Sequence, residues 1–559
     1  MAEMVLPGVY IEVRPEGLIV PGRVTVGNLG IVGTASKGPI GKPVVLGSYA
    51  EARQLFGSYD PWIDGKSNEL TLVRALELAY AHGATTVVAV RVAGNDAKAS
   101  SYKLKSESGE AVTLSAKTEG SWGDSLSVSV IKSEQDAFVE GETVANLKLS
   151  RAPVVQSSRN RILINGKSRK LVYDGDPTAG QIKVGNDGTL TFPTGEQPIP
   201  PDAADPSKKS DVVMASYTVS KDEAVQVKIR LGRAEEVYTV VDCKDLVRDI
   251  NDPDQGSAWV KAELIDESKG NEKPTESDKD AFAPLLEGDN GAVGAVYETG
   301  LEMLLDQDVQ IIVAAGQDDS FGDELDAHCQ NASTDAIKRD RIGVIGTGDL
   351  GNDTSASLSK VTDHTLASDR VILVAPGIKV TDTAATPPVE VTLPGSYAAA
   401  AVAGLLASLP PHFSPTNKTL RVGGLEHRYN DAALGQLVKS RVLALESRQG
   451  IRIVRGITTS TNTAWTQITT RRIVDYAKYG VRSAANSYIG LLNNDRVRGA
   501  LRATINSFLA DMVTAEMLVS YELSVTATRD QERKGIVQVT MTLRPTFSID
   551  FIQVTMFLE

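Results

Sequence analysis

Apolar residues along this chain keep two different rhythms, and the switches between them outline its parts. Short continuous apolar runs at Leu29 to Gly33, Pro43 to Leu46 and Thr85 to Val92 read as buried strands. Between them, Leu70 to His82 predicts a helix with Ser67 or Asn68 as N-cap and Gly83 just past its end. From about Asn95 the pattern turns to alternation. Ser125 to Ile131, Arg161 to Ile164, Thr189 to Phe192, Val225 to Ile229 and Val237 to Val241 read as half-buried strands. Polar loops such as Gln197 to Ser210 punctuate them, and the charged, apolar-poor stretch Asp266 to Asp280 reads as a mobile linker. The first rhythm resumes at Leu285. It predicts a helix over Gly294 to Leu305, strands at Val309 to Ala315, Arg341 to Ile345 and Arg370 to Ala375, and an Ala-rich helix over Tyr397 to Leu409 stopped by Pro410 and Pro411. Leu434 to Glu446 predicts another helix. Val497, Leu501, Ile505, Phe508 and Met512 share one face of a further helix that Asp495 would cap.

The predicted fold class is α+β and multidomain. A mixed α/β core domain, residues 29–94 and 281–419, is split by an inserted mainly-β domain, residues 95–280. An α+β C-terminal domain follows at 420–548. Extended arms flank the whole at 1–28 and 549–559. Both arms read as strand. Val9, Tyr10, Ile11 and Val13 lie in a Pro/Gly-rich segment with no helix signal. At the other end, Ile536 to Leu543 carries Val537, Val539 and Met541, and Ile549 to Leu558 carries Ile552, Val554, Met556 and Leu558. An apolar strand at a free end must be covered, because exposed edges pair with other chains. Two such ends predict a subunit that exchanges strands with its neighbours through these residues.

Composition narrows the function. A chain of 559 residues with 42% hydrophobic content has material for several cores. No 18-residue apolar run is present, which speaks against membrane insertion, and the first residues lack the pattern of a signal peptide. Cys243 and Cys329 form no disulfide framework and suit a reducing compartment. Net charge is −13, which disfavours nonspecific nucleic-acid binding. The charge is uneven: Leu420 to Glu559 holds 18 Lys+Arg against 12 Asp+Glu, net +6, leaving −19 for the remainder. A basic C-terminal domain on an acidic body predicts a face aimed at a negative partner.

Two constellations suggest chemistry, and both are incomplete. Gly346, Gly348 and Gly351 match G-x-G-x-x-G after a strand, with Asp369 near ribose-binding distance, but a polar loop replaces the immediate helix that a dinucleotide site needs. Gly395-Ser396-Tyr397 and the following small-residue helix resemble the nucleophile region of subtilisin-like proteases. Ser396 would need a histidine base, and the upstream His82, His328 and His364 lie in unrelated contexts. No histidine or cysteine spacing fits zinc. The expectation is a non-enzyme without cofactor or metal. A serine hydrolase using Ser396 and a non-contractile virion structural protein are the alternatives.

Several segments, in order along the chain, resemble the tail sheath proteins of contractile phages and related injection particles. They are Pro7-Gly8-Val9-Tyr10-Ile11-Glu12, Gly30-Ile31-Val32-Gly33-Thr34-Ala35, Lys37-Gly38-Pro39, Leu55-Phe56-Gly57, Gly120-Ser121-Trp122-Gly123-Asp124, Gly450-Ile451-Arg452, Val454-Arg455-Gly456-Ile457-Thr458 and Arg471-Arg472-Ile473. The resemblance implies a structural subunit that stacks with copies of itself as hexameric rings around a tail tube and contracts to drive the tube through the host envelope. The implied partners are the subunit itself, a tube protein, and baseplate and tail terminator proteins. The implied place is the virion tail, after assembly in the host cytoplasm. It gives the split core a subtilisin-like, non-catalytic shape, puts the insertion outside and the C-terminal domain inside. Arg471, Arg472, Lys478 and Arg482 are then the candidates to face an acidic tube.

Overall fold

The computed structural model describes residues 26–63, 68–199, 210–278 and 281–558. Val9, Tyr10, Ile11 and Val13 lie outside the described residues. The chain divides into two compact units, Asp96–Gly291 and the remainder.

The remainder is organised by one nine-stranded sheet. Its strands are β1 (Leu29–Gly33), β2 (Val44–Leu46), β3 (Val87–Arg91), β4 (Ile311–Ala314), β5 (Ile342–Gly346), β6 (Val371–Ala375), β7 (Thr419–Leu420), β8 (Leu443–Ser447) and β9 (Ile451–Ile453), in the spatial order β2-β3-β1-β4-β5-β6-β8-β9-β7. The six strands from β3 to β8 are mutually parallel; β2 and β9 run antiparallel to them, and β7 pairs antiparallel with β9. Parallel strands covered on both faces need apolar residues at every position. β1, β3, β5 and β6 are accordingly buried throughout. One face packs against α1 (Leu72–Ala81) and α2 (Gly395–Ser408). The other packs against helices Tyr297–Met303, Gly322–Ala332, Thr354–Thr362 and Asp431–Lys439. The small-residue face of α2 brings it close to α1: a Cβ on Gly404 would lie 2.3 Å from the Ala79 carbonyl oxygen.

Four boundaries differ from expectation. The helix predicted over Leu434 to Glu446 stops at Lys439, and Leu443–Ser447 is the strand β8. Arg441 makes the break with φ of 67°. Residues 419–453 therefore complete the α/β sheet, and a domain boundary at 420 is too early. The helix Asp495–Thr514 is capped by Asn494, whose side chain accepts from the Val497 amide, and not by Asp495. The insertion runs to Gly291, past 280, because Ala283–Pro284 pairs with the strand Leu126–Lys132.

That insertion holds two β cores, one nested in the other. Strands Leu126–Lys132 and Val225–Leu231 pair antiparallel and close the first core with strands Ser101–Ser106, Gly109–Ala116, Ala234–Val240 and Val260–Leu264 and helix Cys243–Ile250. The second core lies between them in sequence, around strands Ala137–Thr143, Arg161–Ile164, Gln181–Val184 and Val213–Val219. Arg151 links the two, reaching Asp242 at 2.7 Å. The stretch expected to be a mobile linker is tied down. Glu272 accepts from the Ser106 and Ser108 hydroxyls, and the Ser277 amide donates to the Val130 carbonyl.

The C-terminal region folds α3 (Ile468–Asn486) and α4 (Asp495–Thr514) against a hairpin of β10 (Leu518–Thr526) and β11 (Gln538–Pro545). The helices nearly touch at Gly480, where a Cβ would lie 1.9 Å from Phe508 Cζ.

The two chain crossings into the insertion meet on the α/β side: a Cβ on Gly94 would lie 2.6 Å from the Val293 carbonyl oxygen. Replacing residues 96–291 by a short Gly/Ser linker should therefore leave the α/β unit folded. Loop closure between adjacent ends is cheap. Thermal unfolding followed by circular dichroism should remain one cooperative transition, and a chain that loses it would show that the insertion is needed for the sheet to form.

Candidate assembly interface

After a bulge at Val519, the hairpin of β10 and β11 alternates strictly. Tyr521, Leu523 and Val525 on β10, with Val539, Met541 and Leu543 on β11, turn toward the helices. Ser520, Glu522, Ser524 and Thr526, with Gln538, Thr540 and Thr542, are exposed. Val525 pairs with Val539 and Leu523 with Met541. Val537 precedes the strand and packs on the same core. The side chains expected in strand exchange at 537, 539 and 541 are thus used within the chain. What is left over is backbone. Among the described residues no third strand bonds to either outer edge of this hairpin.

After the hairpin comes the tail, and it forms no strand in the isolated chain. Ile552, Val554, Met556 and Leu558 are between 73% and 99% exposed. The expectation of a strand up to the terminus is corrected for the single subunit: an extended segment without a ladder partner has no hydrogen bonds to define it. Only its root is held. Asp550 accepts from Arg455 Nε at 2.8 Å and from Gln467 Nε2 at 3.1 Å.

The basic candidates lie elsewhere than expected. α3 runs past the N-terminal ends of β5 and β6, where Asp340 and Asp369 sit. Arg471 donates to Asp369 at 2.9 Å and Asp475 at 2.7 Å, and lies over the Trp465 ring at 4.3 Å. Arg370 donates to Asp475 at 2.9 Å and Asp340 at 3.4 Å. Lys478 and Arg482 both bond the buried carboxylate of Asp340, and Arg482 also reaches Asp335 at 3.4 Å. Arg472 is enclosed, donating to the Leu409 carbonyl at 2.9 Å, and burial pushes its guanidinium down to about 10. Arg471 and Arg472 are inside the subunit, not on a tube-facing surface. Lys478 and Arg482 keep partial exposure but are already paired. Charge balance explains the correction. Asp340 is buried and Asp369 and Asp475 are largely enclosed beside the sheet, so they need cations, and α3 supplies Arg471, Lys478 and Arg482 while Arg370 comes from the start of β6. The i,i+4 spacing of Arg471 and Asp475 was the available signal.

The catalytic candidates are filled by the chain itself. A Cβ on Gly346 would lie 1.9 Å from the Gly395 carbonyl oxygen, so that glycine admits backbone and not a pyrophosphate. A helix does follow, at Thr354–Thr362 with Asp353 as cap. Yet the amides of Leu350 and Gly377 already donate to the half-buried Glu426 at 3.1 and 2.9 Å, so the loop's donors are spent on a side chain of the protein. Asp369 is engaged with Arg471. Ser396 is buried in the first turn of α2, and its amide donates to the Thr347 carbonyl. No histidine among the described residues hydrogen-bonds to it. His82 is held by the Leu78 carbonyl and the Arg421 amide, and His328 faces Arg341. Among the described residues no group of three or more His, Cys, Asp or Glu is placed to hold a metal. Nor is any helix among them long and apolar enough to cross a membrane.

Residues 460–559 match the family model of the phage tail sheath C-terminal domain. No curated protein matches the chain by sequence. Among solved structures, the chain is similar to a sheath tail protein from Desulfitobacterium hafniense, at 14% identity over 97% of both chains with a TM-score of 0.59. It is also similar to a sheath tail protein from Listeria innocua, at 11% identity over 96% of this chain and 95% of that chain, with a TM-score of 0.56. The fold is that of tail sheath proteins, and the resemblance to the contractile phage tail sheath family rests on the C-terminal match together with this fold.

Removing one partner from the buried ionic cluster should unfold the junction between α3 and the sheet. Asp475→Ala strands Arg370 and Arg471, at a cost of about 3–5 kcal/mol for a broken buried pair. Acid should act the same way. Burial alone would raise the Asp369 carboxyl, but the hydrogen bond and charge of Arg471 outweigh it and hold it below its usual range. Its folded value is depressed, so its stabilisation is present above the unfolded value of about 4 and is lost as pH falls through the folded one. Urea midpoints measured from pH 7 down to pH 3 should fall for the wild type, and Asp369→Asn should flatten part of that fall. Equal slopes for both proteins would exclude the pair as a contributor.

Proposed function

We propose that this chain is a structural subunit of a contractile tail sheath. It stacks with copies of itself as hexameric rings around a tail tube, and contraction drives the tube through the host envelope. Its partners are itself, the tube protein, the baseplate and the tail terminator, and its place is the virion tail or particle tail after assembly in the host cytoplasm. The C-terminal family match and the sheath fold support this reading.

The observation that carries it is the agreement in rhythm between the tail and the hairpin. Along the tail, Ile552, Val554, Met556 and Leu558 fall on one side of an extended strand, with Phe551, Gln553, Thr555 and Phe557 on the other. The hairpin has the same order, apolar toward its helices and polar outward. A tail added to an open edge would extend the apolar face over the helices and turn the mixed face of Phe551, Gln553, Thr555 and Phe557 outward. Backbone pairing supplies the bonds and alternation supplies the register. A tail that departs from its own domain reaches the hairpin of another subunit, and the N-terminal arm, with Val9, Tyr10, Ile11 and Val13, does likewise at the remaining edge. The insertion then lies outward, away from the tube. No nucleotide is required if the extended assembly is metastable and a trigger releases a lower-energy packing.

Deleting Ile549 to Glu559 should leave a folded monomer that no longer polymerises. Negative-stain microscopy and sedimentation of wild type and deletion at equal concentration test this. Normal tubes from the truncated chain would remove the tail from assembly.

A further inference from the structure

The tail is not loose from its start. β11 ends at Pro545, the Thr546 amide still donates to the Met517 carbonyl, and side chains catch the chain again at Ser548. The Ser548 amide donates to Gln467 Oε1 at 3.1 Å, and Gln467 Nε2 returns a bond to the Ser548 carbonyl at 3.3 Å. The same Nε2 reaches Asp550 Oδ2 at 3.1 Å, and Arg455 Nε donates to that oxygen at 2.8 Å. The Asp550 side chain is 8% exposed, while its neighbours Ile549 and Phe551 are 79% and 80% exposed. The Arg455 guanidinium also lies 5.3 Å from the centre of the Phe551 ring. An isolated buried carboxylate inside an apolar exposed segment costs desolvation and adds nothing to a core. Its two partners make it a fixed point.

We propose that Arg455, Gln467 and Asp550 form a register pin for the donated strand, an inference that rests on the strand-donation reading. Asp550 has the same parity as Ile552, Val554, Met556 and Leu558. In an extended chain, turning the Asp550 side chain inward commits those four to one common side. A slip of one residue would present Phe551, Gln553, Thr555 and Phe557 instead, with two polar residues in the apolar position. Backbone pairing alone does not choose between these phases, and the side-chain alternation chooses only once a partner edge is met. The pin makes the choice before a neighbour is met, which removes ordering entropy from the capture step.

The pin also fixes where load enters the subunit. Arg455 stands two residues past β9, at the margin of the nine-stranded sheet, and Gln467 immediately precedes α3. Tension on a captured tail passes through Asp550 into both. Residues beyond 550 travel with the captured strand as subunits move, and residues before it stay with their own subunit.

Full-length Gln467→Ala, Asp550→Ala and Arg455→Ala, with a deletion of residues 552–559, test the pin. The readouts are the monomer's Tm, hydrogen exchange of residues 546–552, and the critical concentration for polymerisation by sedimentation. Gln467→Ala and Asp550→Ala should keep a near wild-type Tm, speed exchange at 548–551, and raise the critical concentration about tenfold, as loss of a charge-assisted bond predicts. The exchange of charges in Arg455→Asp with Asp550→Arg should recover part of that loss. If Arg455→Ala fails to fold, Gln467→Ala decides alone. Wild-type critical concentrations in the folded point variants, alongside a deletion that cannot assemble, would overturn the pin and leave strand donation standing. A deletion that assembles normally would overturn both.

Discussion

The buried ionic cluster under α3 is the constraint on which the rest of the structure depends. Asp340 and Asp369 stand at the N-terminal ends of adjacent parallel strands, and Asp475 on α3 completes the set. Four cations, Arg370, Arg471, Lys478 and Arg482, answer them. Each desolvated charge would be costly alone, so none can be withdrawn without stranding the others. The cluster therefore ties the helix of the C-terminal domain to the sheet of the α/β domain in one arrangement. Hydrophobic contact alone would tolerate sliding. Directed ion pairs at about 3 Å do not.

That fixed junction gives the open parts their meaning. The hairpin of β10 and β11 spends its apolar side chains on its own helices and presents two bare backbone edges. The tail reverses the allocation, with exposed side chains and unpaired backbone. Each supplies what the other lacks, which argues for pairing between copies. A mechanical assembly needs links that bend and bodies that hold. In the proposed assembly the links are the extended segments, and each body is held by the ion cluster and by the packing of α3 on α4.

The sequence made the α/β core legible for a physical reason. Strands buried on both faces must be apolar at every position, so β1, β3, β5 and β6 stand out as unbroken runs. Boundaries set by long-range pairing were not legible. Leu443 to Leu445 continues the helical period of the preceding residues, and the break at Arg441 is a left-handed turn with no glycine to mark it. Ala283 and Pro284 join the insertion only because a strand more than 150 residues earlier receives them. The charged stretch at 266–278 reads as solvated until Ser106 and Ser108 are seen to donate to Glu272. The basic residues failed as surface candidates because Asp340 and Asp369 are distant in sequence from α3. The tail's alternation was plain, but whether it forms a strand depends on a partner that no single chain contains. Asp550 was visible as the one acidic residue in that apolar run, and its partners were not.

Strand exchange between subunits is the central claim, and the assembled polymer tests it most directly. An electron cryo-microscopy reconstruction at a resolution that separates strands should show residues 551–558 as an added strand on the hairpin of a different subunit, with Ile552, Val554, Met556 and Leu558 turned to that subunit's helices. A tail folded back onto its own hairpin, or left unpaired between fully formed rings, would contradict the account.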